Sequence, residues 1–250
     1  MSKQSFCIAN WKMNKNIKES VDFLNKISKK DLSVSNSQMI ICPSFLSLKL
    51  YWSDIKDYIS FGSQNVSSFE KGSFTGEISI SMLEEENIFC DWVIIGHSER
   101  RMIFKETNED ISNKMKLVYN SSLNPILCIG ESLEEKNNDL TSQVLEKQIH
   151  LAFSKIDFSI AKDILIAYEP VWAIGTGIAA NIDVIEKNMK LIKKMINNIN
   201  TNNCNIYLLY GGSVNEDNAA EIFSLNDVNG FLIGGASLEV ESFYSIYKQI

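Results

Sequence analysis

A lone carboxylate stands where an apolar run stops. From Ile164 to Gly177 the chain reads Ile-Leu-Ile-Ala-Tyr-Glu-Pro-Val-Trp-Ala-Ile-Gly-Thr-Gly. The first half suits a strand buried on both faces, and it ends in Glu169, followed at once by Pro170. Pro170 fixes its own φ and biases Glu169 toward an extended backbone, while Gly175 and Gly177 allow angles and close approaches that side chains block. Val171, Trp172, Ala173 and Ile174 bring apolar area to bury beside an ionisable group that favours water. A lid closing over a small ligand satisfies both demands. An ordinary strand-to-helix connection, with Trp172 packed on the surface, is the alternative.

Four other places follow apolar runs in the same way: Asn10-Trp11-Lys12, Gly96-His97-Ser98-Glu99-Arg100, Gly211-Gly212-Ser213 and Gly234-Gly235-Ala236-Ser237. They supply a cation, an imidazole and two glycine turns to set beside the Glu169 carboxylate. Each has a plainer reading. Lys12 could be solvated, His97 could hold a structural hydrogen bond, and Glu169 could pair with an arginine. The second histidine, His150, lies in the charged helical segment Leu140 to Lys155 and reads as a surface residue.

The elements that must position these groups are legible from periodicity. Strand-length apolar runs occur at Phe6 to Ala9, Met39 to Cys42, Ile59 to Gly62, Trp92 to Ile95, Ile126 to Ile129, Ile164 to Tyr168, Ile206 to Tyr210 and Gly230 to Ile233. Between most of them lie segments with helical spacing, such as Ile17, Val21, Leu24, Ile27 and Ile185, Met189, Ile192, Met195, Ile196. Eight βα units in 250 residues predict α/β class and a closed (β/α)8 barrel forming a single domain over residues 1–250. No Pro/Gly/Ser-rich linker divides the chain, and no G-x-G-x-x-G follows the first strand. In such barrels the site forms at the carboxyl ends of the strands. The chemistry-bearing residues sit there, and glycine turns after strands seven and eight suit a phosphate held by backbone N–H groups. The third connection is long, Ser67 to Glu77 before a helix expected over Ile78 to Glu86.

Composition bounds the function. Hydrophobic residues are 45% and charged residues 22%, ordinary for a soluble globular protein, and the net charge of −7 opposes a nucleic-acid surface. The opening Met-Ser-Lys-Gln-Ser-Phe has no secretory apolar core and no run approaches a membrane span, so neither export nor membrane insertion is expected. Cys7, Cys42, Cys90, Cys128 and Cys204 are scattered without metal-ligand spacing, which fits reduced thiols in a cytoplasm and predicts no metal site.

Seven blocks, in order, resemble the triosephosphate isomerase family over nearly the full length. They are Asn10 to Asn14; Gln64-Asn65-Val66 with Gly72 to Glu77; Gly96 to Arg101; Cys128 to Glu131; Ala167 to Gly177; Tyr210 to Asn215; and Gly230 to Ser237. The resemblance implies interconversion of dihydroxyacetone phosphate and glyceraldehyde 3-phosphate, in glycolysis and gluconeogenesis, by a cytoplasmic homodimer without cofactor. It places Asn10, Lys12, His97 and Glu169 at catalytic positions and Gly175, Ser213, Gly234 and Gly235 at phosphate-binding ones. Glu99, beside the histidine, is a supporting partner for Lys12. The loop Ser67 to Glu77 is expected to enter the neighbouring subunit, with Thr75 near its Asn10 and Lys12. Departures from the family pattern are Ile178 after the lid, Lys193 in place of arginine, Asn229 in place of aspartate, and Ser63 before Gln64. Other phosphate-gripping barrels, an epimerase or an indole-forming synthase, need not combine Asn10, Lys12, His97 and the Glu169 lid. A silent scaffold barrel would be expected to have lost one of them.

Overall fold

A computed structural model describes residues 4–49, 58–173, 180–199, 201 and 203–250. Its strands are β1 (Phe6–Asn10), β2 (Gln38–Cys42), β3 (Ile59–Ser63), β4 (Trp92–Ile95), β5 (Asn124–Ile129), β6 (Lys162–Tyr168), β7 (Cys204–Tyr210) and β8 (Gly230–Ile233). Neighbours pair in parallel in chain order, and β1 closes the barrel by pairing with β8 as well as β2. The eight runs expected from the sequence are these strands, within two residues at each end. The helices among the described residues are α1 (Ile17–Ile27), α2 (Ile80–Leu83), α3 (Ser98–Met102), α4 (Asn108–Tyr119), α5 (Leu133–Asn137), α6 (Thr141–Phe153), α7 (Ile182–Asn197), α8 (Ala219–Phe223) and α9 (Val240–Tyr247).

Closure buries both faces of the strands except, chiefly, at the amino-terminal residues of β6 and β7, which is why most strands read as continuous apolar runs. One set of alternating side chains, including Ile8, Ile40, Ile94, Ile126, Leu165 and Leu232, fills the barrel interior. The other set, including Cys7, Ile41, Val93, Leu127, Ile166 and Ile233, packs under the helices. Near the strands' amino ends the interior is plugged by Phe6, whose ring lies 5.9 Å from Trp92 and 5.0 Å from Tyr207.

Two helical expectations need correction. The buried face of α1 is Ser20, Phe23, Leu24 and Ile27, not the stripe beginning at Ile17, which is exposed. Phe23 sets that rotation by packing 5.0 Å from Trp11 and 6.4 Å from Phe243, a larger apolar gain than Ile17 offers. The helix expected over Ile78 to Glu86 is only α2, capped by Ser79 and ended at Glu84. Three successive glutamates, Glu84 to Glu86, would meet the negative end of a longer helix. The α7 expectation holds better, since Ile185, Met189, Ile192 and Ile196 are all buried. His150 is exposed on α6.

The long loop after β3 behaves as its composition demands. Phe69 and Phe74 stack at 3.9 Å and 10° yet stay 49% and 39% exposed, so each ring covers only one face of the other. Gly72 (φ 143) and Gly76 (φ 90) take backbone angles that a side chain would oppose. All five cysteines are free, four of them buried.

Candidate active site at the barrel mouth

Strand parity aims two of the expected residues inward. Phe6 and Ile8 point into the barrel, so Asn10 does too; Leu165 and Ala167 do the same for Glu169. Parity alone would turn His97 outward, because Val93 and Ile95 face the helices. Gly96, at φ 68, breaks the alternation and returns His97 to the mouth. Lys12 itself adopts φ 52, an uncommon angle for a residue with a side chain. Two hydrogen bonds hold it: Lys12 N–H donates to Asn10 Oδ1 at 3.1 Å, and Gln64 Nε2 donates to Lys12 O at 2.8 Å.

These side chains meet in one pocket of about 300 Å³, lined by Asn10, Lys12, His97 and Glu169 together with Gly211 to Asn215 and Gly234 to Ala236. Glu169 is almost wholly buried. Its Oε1 lies 3.2 Å from His97 Nε2, and its Oε2 accepts the Ser98 N–H at 2.9 Å. His97 Nδ1 accepts the Glu99 N–H at 3.2 Å, so a neutral imidazole held this way carries its proton on Nε2, facing the pocket. The Glu99 carboxylate is engaged by Lys12 Nζ at 2.7 Å, the pairing that the family resemblance implied. Beneath the base, burial pushes the Cys128 thiol well above its usual range and the Glu169 charge adds to the shift, so this sulfur stays protonated.

Glycines make this packing possible. A Cβ on Gly211 would stand 2.9 Å from Glu169 Cγ, and one on Gly234 would stand 3.3 Å from Lys12 Cε. Gly130 leaves no room for a Cβ against the Glu169 backbone. Gly234 and Gly235 open a short turn, Gly235–Ser237, that borders the pocket. Ser213 Oγ donates to Ala173 O at 2.8 Å, tying the second glycine turn to the segment after Glu169.

That segment is anchored at both described ends. Val171–Ala173 forms a single turn; Trp172 Nε1 donates to Glu131 Oε1 at 2.9 Å, and Val171 N–H donates to Glu131 O at 3.2 Å. Glu131 is fully buried, also accepts the Tyr168 hydroxyl at 3.1 Å, and burial raises its carboxyl above the usual range. Beyond the segment, Ala180 N–H donates to the Tyr210 hydroxyl at 3.3 Å, whose ionisation burial pushes up to about 12. Gly175, Ile178 and the tip of the expected lid lie outside the described residues.

Sequence reasoning gave no role to Gln64, Glu131 or Arg101, although Gln64 and Glu131 follow the ends of β3 and β5, where a site in this fold must form. It also gave Ser63 no consequence, yet the Ser63 hydroxyl donates to Asn65 O and closes the turn after β3. Asn229 accepts the Leu208 N–H at 3.1 Å and donates to Gln4 O at 3.2 Å, a bond that an aspartate carboxylate could not donate. Lys193 is partly exposed on α7. Among the described residues there is no group of three or more His, Cys, Asp or Glu able to hold a metal ion, and no helix long and apolar enough to cross a membrane.

A family model described as triosephosphate isomerase matches residues 5–250. Curated relatives named triosephosphate isomerase include one from Colwellia psychrerythraea, 42% identical over 97% of this chain and 96% of the relative. Another, from Endomicrobium trichonymphae, is 40% identical over 96% of each chain. A third, from Francisella tularensis subsp. novicida, is 38% identical over 98% of this chain and 97% of the relative.

Proposed function

We propose that in this chain, which belongs to the triosephosphate isomerase family, Glu169 is the base that carries a proton between two carbons of a triose phosphate. The chain interconverts dihydroxyacetone phosphate and glyceraldehyde 3-phosphate. The observation that carries the assignment is the pairing of a buried carboxylate with an Nε2–H donor, 3.2 Å apart, in a pocket that also holds Lys12.

A hydrogen on carbon next to a carbonyl is weakly acidic, so its removal needs a base and a stabilised enediolate together. Incoming substrate presents its carbonyl oxygen to His97 Nε2–H in place of Glu169 Oε1. Glu169 then leaves the Ser98 N–H, takes the proton from the adjacent carbon and returns it to the former carbonyl carbon. His97 moves the hydroxyl proton between the two oxygens as the double bond shifts; this family is itself the standing example of a neutral imidazole used so. The Lys12 ammonium offsets negative charge developing on the oxygens and on the phosphate, and Asn10 orients the carbonyl end. The backbone N–H groups of Gly234 and Gly235, with Ser213 and Gly175, hold the phosphate. None of these steps calls for a cofactor or metal.

The family reading extends to assembly: residues 1–250 form one barrel domain, working as a cytoplasmic homodimer. The exposed Phe69–Phe74 stack, on a loop whose exposed tip includes Thr75, supports insertion into a second copy near its Asn10 and Lys12. A coupled assay of glyceraldehyde 3-phosphate formation tests the activity. Replacing Phe69 to Phe74 with a short polar turn tests the assembly: a folded monomer with sharply reduced kcat is expected. Wild-type protein that scatters light as a fully active monomer at micromolar concentration would refute the dimer.

A further inference from the structure

Arg101, on α3, points its guanidinium back under the pocket. Nε donates to Gly96 O at 2.7 Å, one terminal nitrogen to Cys128 O at 2.9 Å, and the other to Asn108 Oδ1 at 2.7 Å. Among the described residues no carboxylate lies within ion-pair distance of it, whereas its neighbour Arg100 pairs with Glu106 at 2.6 Å. A half-buried cation given to neutral carbonyls calls for a reason, since an ion pair would offset its desolvation better.

The two carbonyls supply one. Gly96 is the left-handed residue that turns His97 into the mouth, and Cys128 precedes Ile129, whose carbonyl accepts the Glu169 N–H at 2.8 Å. One planar fork therefore joins the end of β4, which aims the imidazole, to the end of β5, which carries the backbone of the carboxylate. Asn108, the first residue of α4, fixes the third arm. A Cβ at position 96 would stand 2.9 Å from both the Arg101 terminal nitrogen and Ile111 Cδ1, so the guanidinium comes this close because position 96 is glycine.

We propose that Arg101 is a positioning residue that sets the spacing between His97 and Glu169 without touching substrate. The proposal rests on the roles assigned above to those two residues. A lysine lacks the planar fork and cannot span both carbonyls in this geometry. Misplacement by about 1 Å at a reacting centre costs roughly 100-fold in rate.

The test compares Arg101→Lys and Arg101→Met with wild type, with kcat expressed per folded molecule from circular dichroism and thermal melts. Expected are a fall in kcat of roughly 10-fold to 100-fold, with KM and the inhibition constant of inorganic phosphate within about twofold of wild type. The deuterium isotope effect on kcat should rise, because proton transfer becomes the slow step, and Arg101→Lys should not rescue it. A purely structural role would instead lower the melting temperature and leave kcat per folded molecule unchanged. That result, wild-type kcat in Arg101→Lys, or phosphate inhibition weakened as much as kcat, would overturn the proposal. Full activity in Glu169→Gln would instead remove the base assignment beneath it, so the two failures are distinguishable.

Discussion

The two ends of this barrel are built from the same strands and on opposite principles. At the amino end, Phe6, Trp92 and Tyr207 fill the interior with rings at ordinary aromatic spacings. At the carboxyl end, Asn10, His97 and Glu169 are buried too, but they are held by hydrogen bonds, and glycines make room for Glu169. The amino end gains free energy from apolar burial. The carboxyl end gives up apolar burial, accepts an uncommon backbone angle at Lys12 and keeps a carboxylate out of water. Inside the barrel, apolar packing fills one end and chemistry occupies the other.

Mutations should separate the two. The largest effect is expected for Glu169→Gln, which keeps an acceptor for the Ser98 N–H but removes the base: kcat should fall by roughly 10²-fold to 10⁴-fold while the melting temperature changes little. Steady-state kinetics beside a thermal melt checks both halves. A large melting change there would mean that the mouth also carries the fold. The reciprocal variant is Phe6→Ala, expected to cost about 3 kcal/mol or more of stability with kcat per folded molecule unchanged. Urea unfolding combined with active-site titration measures it, and a selective loss of kcat would erase the distinction between the two ends.

Lys12→Met is expected to be smaller than either. It deletes a charge-assisted bond to Glu99 and the cation lining the pocket. Binding of inorganic phosphate and kcat/KM should weaken together, each by roughly 10-fold to 100-fold, equivalent to about 1.5–3 kcal/mol. Phosphate inhibition equal to wild type would place Lys12 outside the site. The smallest effect concerns Glu131, whose carboxyl is raised by burial above its reference value of 4.5. A raised carboxyl means that the folded state disfavours the charged form, so its cost appears as pH rises through the unfolded value and toward the folded one. Glu131→Gln should therefore gain in melting temperature, relative to wild type, as pH rises above about 4.5. An opposite slope would show the Trp172 and Tyr168 bonds outweighing the desolvation of the carboxylate.

The residue types and their placement after apolar runs were legible in the sequence. Eight such runs, each ending in a polar or glycine-rich segment, are local features fixed by side-chain chemistry over a few residues. Strand parity is equally local, and it is enough to send Asn10 and Glu169 inward. His97 also lines the mouth, but only the left-handed Gly96 explains why it faces the same way. The Phe23 face of α1 and the early end of α2 were missed, because a neighbouring ring and a helix terminus decided them.

Tertiary structure alone decided which of these groups meet. Lys12 and Glu99 are 87 residues apart and Ser98 and Glu169 are 71 apart, yet each pair is in hydrogen-bonding contact. That contact depends on β1 closing against β8 and on the register of every strand between, a property of the whole sheet that no window of sequence contains. Gln64, Glu131 and Arg101 became readable only then, since most of their partners are backbone and side-chain groups contributed by other elements of the barrel.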